Sequence, residues 1–155
     1  MRVGSGFDVH PFTDAARPLV LGGVVFPGER GLSGHSDADV VAHAVADALL
    51  GAAGLGDLGQ HFPDTDPAWA GADSIELLRA VAGLVAGAGF RVANVDCTVV
   101  LEAPRLAPAR AAMEQRLADA VDGPVSVKGK RAEGLGAVGR GEGIVCFAVA
   151  LLVMQ

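Results

Sequence analysis

The 155-residue chain carries 51% hydrophobic side chains, so it has the size of one ordinary domain and enough apolar material for a real core. Its formal net charge of -6 and its scattered basic residues, clustered only at Lys128, Lys130 and Arg131, leave no electrostatic footprint for a nucleic-acid backbone. The longest C-terminal apolar run, Ile144 to Met154, is well short of the roughly 20 residues a membrane-spanning helix needs, so neither nucleic acid nor membrane is an expected partner.

A first strand is expected from Arg2 to His10, and Leu19 to Phe26 reads as two short apolar halves around the turn signal Gly22-Gly23. His35-Ser36-Asp37-Ala38-Asp39 then opens a helix, with Ser36 as N-cap, Asp39 three residues later as in a capping box, and an Ala-rich run to Leu50. Gly54 to Ser74 is dense in Gly, Pro and Asp and reads as a long loop, a length that compact domains keep for function. A second helix is predicted from Ser74 to Ala88, ended by Gly89, and a strand from Asn94 to Leu101. Pro108 to Val121 reads as a helix, Val125 to Lys128 as a strand, and Ile144 to Val153 as a last strand after a Gly-rich turn. The fold class is α/β (α+β). With no repeat, linker or low-complexity tract, residues 1–155 are expected to form a single domain.

A mean hydropathy of +0.42, carried by Ala, Val, Leu and Gly, points to closely packed small side chains and to surface covered by other copies of the chain. Cys97 and Cys146 lie in apolar, strand-like runs, where free cysteine behaves as a small hydrophobe, consistent with a reducing compartment. The structured-looking segment begins at Arg2 without a charged n-region, apolar h-region or cleavage site. A soluble, cytoplasmic protein is the expectation.

Asp8 and His10 are two apart on a predicted strand, which turns both side chains to one face with Cα atoms roughly 6.6 Å apart. His43 sits on the first helix, four residues after Asp39 and four before Asp47, so the three make one polar stripe on an apolar segment. Two histidines and one carboxylate would leave a tetrahedral position open on zinc, as catalytic sites require. On spacing alone a solvated strand edge and a core histidine describe the same residues, because nothing local brings strand and helix together. His35-Ser36 lies at a predicted helix N-terminus that favours an anion, while Ser36 as a plain cap is the alternative.

Taken in order, Gly6-Phe7-Asp8-Val9-His10, His35-Ser36-Asp37-Ala38-Asp39 with His43, Gly56-Asp57-Leu58-Gly59, Phe62-Pro63-Asp64-Thr65-Asp66-Pro67, Ala103-Pro104-Arg105 and Gly139-Arg140-Gly141-Glu142-Gly143 resemble the 2-C-methyl-D-erythritol 2,4-cyclodiphosphate synthase family. The resemblance spans essentially the whole chain. It implies a homotrimer whose subunits are small mixed sheets flanked by helices on one side, with active sites at the subunit interfaces. The implied substrate is the cytidine diphosphate compound 4-diphosphocytidyl-2-C-methyl-D-erythritol 2-phosphate, whose 2-phosphate attacks the β-phosphorus, closing the ring and releasing CMP. It implies zinc on Asp8, His10 and His43, and a second ion, magnesium or manganese, with Glu133 as its carboxylate. Folding phosphate onto phosphate is electrostatically costly, which is why such chemistry needs cations and N–H donors.

The resemblance further assigns transition-state stabilisation to His35, accompanied by Ser36 in substrate contact, with Asp8, Val9 and His10 beside them. Asp57, Leu58 and Gly59 with Phe62, Pro63, Asp64, Thr65 and Asp66 would contact the sugar-derived part. Leu101, Ala103, Pro104, Arg105, Leu106 and Ala107, together with Gly129, Lys130, Arg131, Ala132 and Glu133, would form the cytidine region. Arg140 would face an isoprenoid diphosphate in an axial cavity, or pair with Glu142 to lock the trimer. Arg131 stands where the family commonly has a threonine that polarises the β-phosphate, and an arginine can still donate there. Ala137 replaces a larger residue and would widen or empty the axial cavity, which speaks against an isoprenoid ligand. Glu102 is a further departure, expected to alternate outward into solvent. A trimeric metal- and nucleotide-binding scaffold without turnover is the alternative, and the retained metal ligands argue against it.

Overall fold

The computed structural model describes residues 1–155. Its elements are β1 (Arg2–Pro11), β2 (Leu19–Leu21), β3 (Val24–Phe26), α1 (Val40–Ala53), α2 (Leu58–His61), α3 (Ser74–Gly87), β4 (Phe90–Val100), α4 (Arg110–Val121), β5 (Val125–Lys130), α5 (Gly136–Gly139) and β6 (Gly143–Met154). Four strands form one sheet in the order β1-β6-β4-β5, and β2 with β3 forms a separate hairpin. β6 runs antiparallel to both its neighbours, whereas β4 and β5 are parallel and joined through α4, so the sheet is mixed.

Period-two alternation decides which face is covered. In β6, Ile144, Cys146, Ala148, Ala150 and Leu152 are buried while Phe147 and Val149 are half exposed on the other face. In β4 the buried residues are Val92, Val95, Cys97 and Val99, a pattern that breaks period two once. A register shift opposite β6 between Val92 and Asn94 absorbs the extra residue and returns Val95 to the inner face. Cys97 and Cys146 are buried free thiols. The helices α1, α3 and α4 cover this inner face.

The inward positions of β1 are Gly4, Gly6, Asp8 and His10. The first two explain how close α1 comes. A Cβ on Gly6 would stand 1.9 Å from the Ala44 carbonyl oxygen, and one on Gly4 would stand 2.1 Å from that of Ala48. Glycine on the strand meets alanine on the helix, and the backbones touch. The next two inward positions along β1 are Asp8 and His10, which the close packing carries to the side of α1 that holds His43.

The outer face of the sheet has no helix. Val3, Phe7 and Val9 of β1 and Phe147 and Val149 of β6 are exposed there, with the Phe7 and Phe147 rings 5.1 Å apart. On the β4 and β5 half the surface is polar, where Asp96 accepts hydrogen bonds from Ser126 (2.7 Å) and Lys128. No helix is long and apolar enough to cross a membrane.

Several expectations need correction. Helix α1 begins at Val40, not at Ser36, because its N-cap is Asp39, whose carboxylate accepts from the amides of Val41 (3.0 Å) and Ala42 (3.1 Å). The same carboxylate accepts from Gly22 (2.8 Å) and Gly23 (2.6 Å) of the hairpin turn, so four N–H donors converge on a fully buried group. Burial raises the Asp39 pKa, and the glycine amides work against that rise. The Gly54–Ser74 stretch contains α2 and a 3-10 turn at Pro67–Trp69 rather than bare loop. Strand β4 starts at Phe90 and ends before Leu101, and β5 continues to Lys130.

Candidate active site

Three donor atoms converge where β1 meets α1. Asp8 Oδ2 lies 2.9 Å from His10 Nε2 and 3.0 Å from His43 Nδ1, and the two ring nitrogens are 3.2 Å apart. Donors bound to tetrahedral zinc at about 2.0–2.1 Å would stand about 3.3 Å from one another, so this triangle has nearly the dimensions of one face of a zinc site. The other carboxylate oxygen, Oδ1, is held by the Val9 amide at 2.9 Å, which leaves Oδ2 for the cluster. These three residues are also the one group of metal-ligating side chains that converges in the molecule, and two imidazoles with one carboxylate suit a divalent ion.

Electrostatics agree with that use. Burial alone would raise Asp8, but hydrogen bonds from His10 and His43 outweigh it and hold the carboxyl well below its usual range. Burial alone would lower His43, yet the hydrogen bond and charge of Asp8, helped by Asp39 and Asp37, raise it. The cluster is therefore a place where positive charge is stabilised. The side chains keep limited access to solvent, 23% for Asp8 and 14% for His43.

The segment before α1 shapes one wall. Arg17 donates to the carbonyls of Gly34 (2.9 Å) and Ser36, and the Asp37 amide donates to the Ala72 carbonyl (3.0 Å). Ala38 is held in a left-handed conformation at φ 59, which a residue with a Cβ adopts only when its surroundings require it. His35 Nε2 donates to the Asp66 carbonyl (3.1 Å), linking this wall to the loop opposite. His43 Nε2 faces Ser74 Oγ (2.9 Å) and Ser36 Oγ (3.1 Å). The free N–H groups of α1 are not at His35-Ser36, because Asp39 takes them.

His10, His35, Ser36, His43, Leu58, Phe62 and Asp64 share a cleft of about 250 Å³, closed by Trp69 and Leu77. Phe62 and Trp69 meet edge to face, with centroids 4.9 Å apart. Asp47, the next polar position after His43 on α1, accepts from the Leu58 amide (2.7 Å) and so fixes the start of α2. Asp57 caps the same turn through Gln60 (3.0 Å), and Asp66 caps the 3-10 turn through Ala68 (2.9 Å). Gly59, Pro63 and Thr65 do not line the cleft, and Val9 points to the outer face of the sheet.

A second cleft, about 310 Å³, is lined by Leu101, Pro104, Arg105, Leu106, Ala107, Gly129, Lys130 and Arg131, with Glu102 and Arg110 added to the expected set. Glu102 is not solvated as expected. Its Oε2 accepts from Arg131 Nε (3.1 Å) and a terminal guanidinium nitrogen (2.8 Å), and its Oε1 from the Ala132 amide (2.8 Å). The Arg131 hydrogen bonds hold the Glu102 carboxyl below its usual range. Ala103 lies outside this cleft, beside Phe12 and Arg30. Glu133, in a left-handed conformation at φ 54, lines neither cleft, and nor does Arg140, which pairs with Glu142 (2.6 Å).

The two clefts stand at the same end of the sheet. Asp8 is paired with Cys146, Cys146 with Val99, and Val99 with Gly129. They open on opposite edges, three strand spacings or about 14 Å apart. Trp69, Leu77, Glu102 and Arg110 were not anticipated from the sequence. Trp69, the chain's one tryptophan, sits in a turn-rich segment, and that was the available signal.

The sequence profile of the YgbB family matches residues 1–153. A 2-C-methyl-D-erythritol 2,4-cyclodiphosphate synthase from Syntrophobacter fumaroxidans is 57% identical over 98% of this chain and 97% of its own length. A bifunctional IspD/IspF enzyme from Anaeromyxobacter sp. is 58% identical over 97% of this chain, which spans 39% of that longer protein. Among solved structures, the bifunctional IspDF of Campylobacter jejuni superposes with a TM-score of 0.95 at 41% identity over 99% of this chain and 42% of its own. The IspF of Plasmodium falciparum in complex with CDP gives a TM-score of 0.86 at 31% identity over 99% and 96%. The chain thus belongs to the YgbB family, that of the 2-C-methyl-D-erythritol 2,4-cyclodiphosphate synthases.

Proposed function

We propose that residues 1–155 act as one unit that converts 4-diphosphocytidyl-2-C-methyl-D-erythritol 2-phosphate to 2-C-methyl-D-erythritol 2,4-cyclodiphosphate and CMP. The observation that carries this reading is the convergence of Asp8 Oδ2, His10 Nε2 and His43 Nδ1 in a chain of this family. These three would hold zinc, which when bound supplies a Lewis acid and a template for phosphate oxygens. Glu133 would supply a carboxylate to a second, hard ion such as magnesium or manganese.

The remaining work falls to the side chains. His35 and the buried Ser36 line the metal cleft, where His35, steadied by the Asp66 carbonyl, stabilises charge as the ring closes. Phe62 gives the sugar-derived part an apolar wall, and Asp64 accepts from its hydroxyls. The cleft between Leu101 and Arg131 takes the cytidine. A relative solved with CDP supports a cytidine nucleotide as a ligand. Both reacting phosphates belong to one molecule, so holding them in line is the main catalytic task and no protein nucleophile is needed.

The chain is expected to work as a homotrimer. The exposed apolar stripe of Val3, Phe7, Phe147 and Val149 is the kind of surface an oligomer covers. The two clefts open on opposite sheet edges, so the metal edge of one copy facing the cytidine edge of the next would complete a site. The buried free thiols fit the reducing cytoplasm.

The deciding experiment incubates purified protein with the diphosphocytidyl substrate, zinc and magnesium, and follows products by phosphorus NMR and mass spectrometry. Cyclic diphosphate with equimolar CMP, abolished by chelator, is expected. CMP with an uncyclised product would make the chain a hydrolase, and tight binding without conversion would make it a scaffold.

A further inference from the structure

The nitrogen of His43 that turns away from the cluster is not free, and its partners dictate where the imidazole proton resides. Nε2 lies 2.9 Å from Ser74 Oγ, and Ser74 Oγ is in turn hydrogen-bonded to Asp37 Oδ1. A carboxylate only accepts, so the Ser74 hydroxyl must donate its single proton to Asp37. With that proton committed, Ser74 Oγ can only accept from His43. Nε2 therefore carries a hydrogen, and Nδ1, which lies against Asp8 Oδ2 and His10 Nε2, is the nitrogen left to give its lone pair to a metal held by the cluster.

We propose that Asp37 and Ser74 are positioning residues which lock His43 in the Nε2–H tautomer and so make Nδ1 the metal-binding atom. This inference rests on the metal reading of the cluster. The pair is built in, not incidental. Ser74 is 1% exposed, so no bulk water competes for its oxygen. The second Asp37 oxygen accepts from the Ser74 amide at 3.1 Å, which fixes the carboxylate from two directions. Ser36 Oγ, 3.1 Å from Nε2 and 3.3 Å from Ser74 Oγ, accepts from the Ala38 amide (3.2 Å) and closes the remaining side. The two residues come from different places, one before α1 and one at the first position of α3. The metal face of α1 is thereby tied to how α3 docks.

Outer partners of metal-bound histidines typically govern affinity by about 10–100-fold. The test measures zinc affinity of the full chain by competition with a chromophoric chelator, alongside nitrogen-15 NMR of the zinc-loaded protein. Ser74→Ala is expected to weaken zinc by at least tenfold while circular dichroism stays native. Ser74→Thr keeps the hydroxyl and should stay within about threefold of the parent. The parent spectrum should show the His43 proton on Nε2. Ser74→Ala with parental affinity, or a His43 proton on Nδ1, would overturn the relay while leaving the metal site standing. Equal losses in Ser74→Ala and Ser74→Thr would reduce the serine to a packing role and overturn it too. A parent chain that binds no zinc would overturn both the relay and the metal reading.

Discussion

The substitution Gly6→Ala adds one methyl group to β1, two residues before a metal-cluster residue. The new Cβ would sit 1.9 Å from the Ala44 carbonyl oxygen and 2.8 Å from the Ala48 amide nitrogen, where real Cβ contacts do not fall below 3.0 Å. The oxygen contact is short by about 1.1 Å, and both obstacles are helix backbone, which has no rotamer to give, so β1 must retreat from α1. Metal-ligand distances tolerate only about 0.2 Å, so a displacement several times larger separates Asp8 and His10 from His43. Overpacking costs about 1–3 kcal/mol, with this site at the upper end because backbone is displaced. The expected result is a melting temperature lower by roughly 5–10 °C for a chain of this size. Zinc affinity should fall by at least a hundredfold, read by chelator competition. Gly83→Ala on α3 is the matched control, since nothing lies within 4 Å of its Cβ, and it should be neutral or slightly stabilising. Parental zinc affinity in Gly6→Ala would refute the argument that this close contact sets the cluster.

Asp39→Ala removes four hydrogen-bond acceptor contacts at once and leaves the buried Gly22 amide and the part-buried Gly23 amide unpaired. A lost cap at about 1 kcal/mol, the buried Gly22 donor at about 1–3 kcal/mol and the part-buried Gly23 donor at about 1 kcal/mol give a destabilisation of about 3–5 kcal/mol. Calorimetry should show a melting temperature lower by roughly 10 °C, and a drop under about 3 °C would mean the carboxylate is dispensable. Arg131→Thr removes an exposed guanidinium already paired with Glu102, whose other oxygen keeps the Ala132 amide. Turnover should stay within about tenfold of the parent, and complete loss would make Arg131 essential.

The inward-facing series Gly4, Gly6, Asp8, His10 is plain from alternation, and so is the placing of His43 between Asp39 and Asp47. What alternation lacks is distance between elements. The clue lay in composition: glycine at two inward strand positions and alanine along α1 are what a close backbone approach requires. Local pattern misassigned Ser36 as the cap because the stronger claim of Asp39 comes partly from Gly22 and Gly23, donors 17 and 16 residues away in sequence. The Glu102 error has the same origin, since its partner Arg131 is 29 residues on. Strand β4 was read too short because the irregularity between Val92 and Asn94 interrupts its alternation. Ser74 read only as a helix start, and its second role depends on a histidine from another helix.

The two clefts sit in one register row at opposite edges of the sheet, the Asp8, His10 and His43 cluster against β1 and the Leu101–Arg131 cleft beyond β4 and β5. In a ring where each site draws one edge from each of two neighbours, a lesion at either edge silences a site without marking which chain is at fault. Two defective alleles, one damaged at His43 and the other in the cleft at Leu106, would then rebuild intact sites wherever their sound edges meet in a mixed ring. Heredity at this locus would show complementation between mutants of the same polypeptide, and damage confined to one edge would show none.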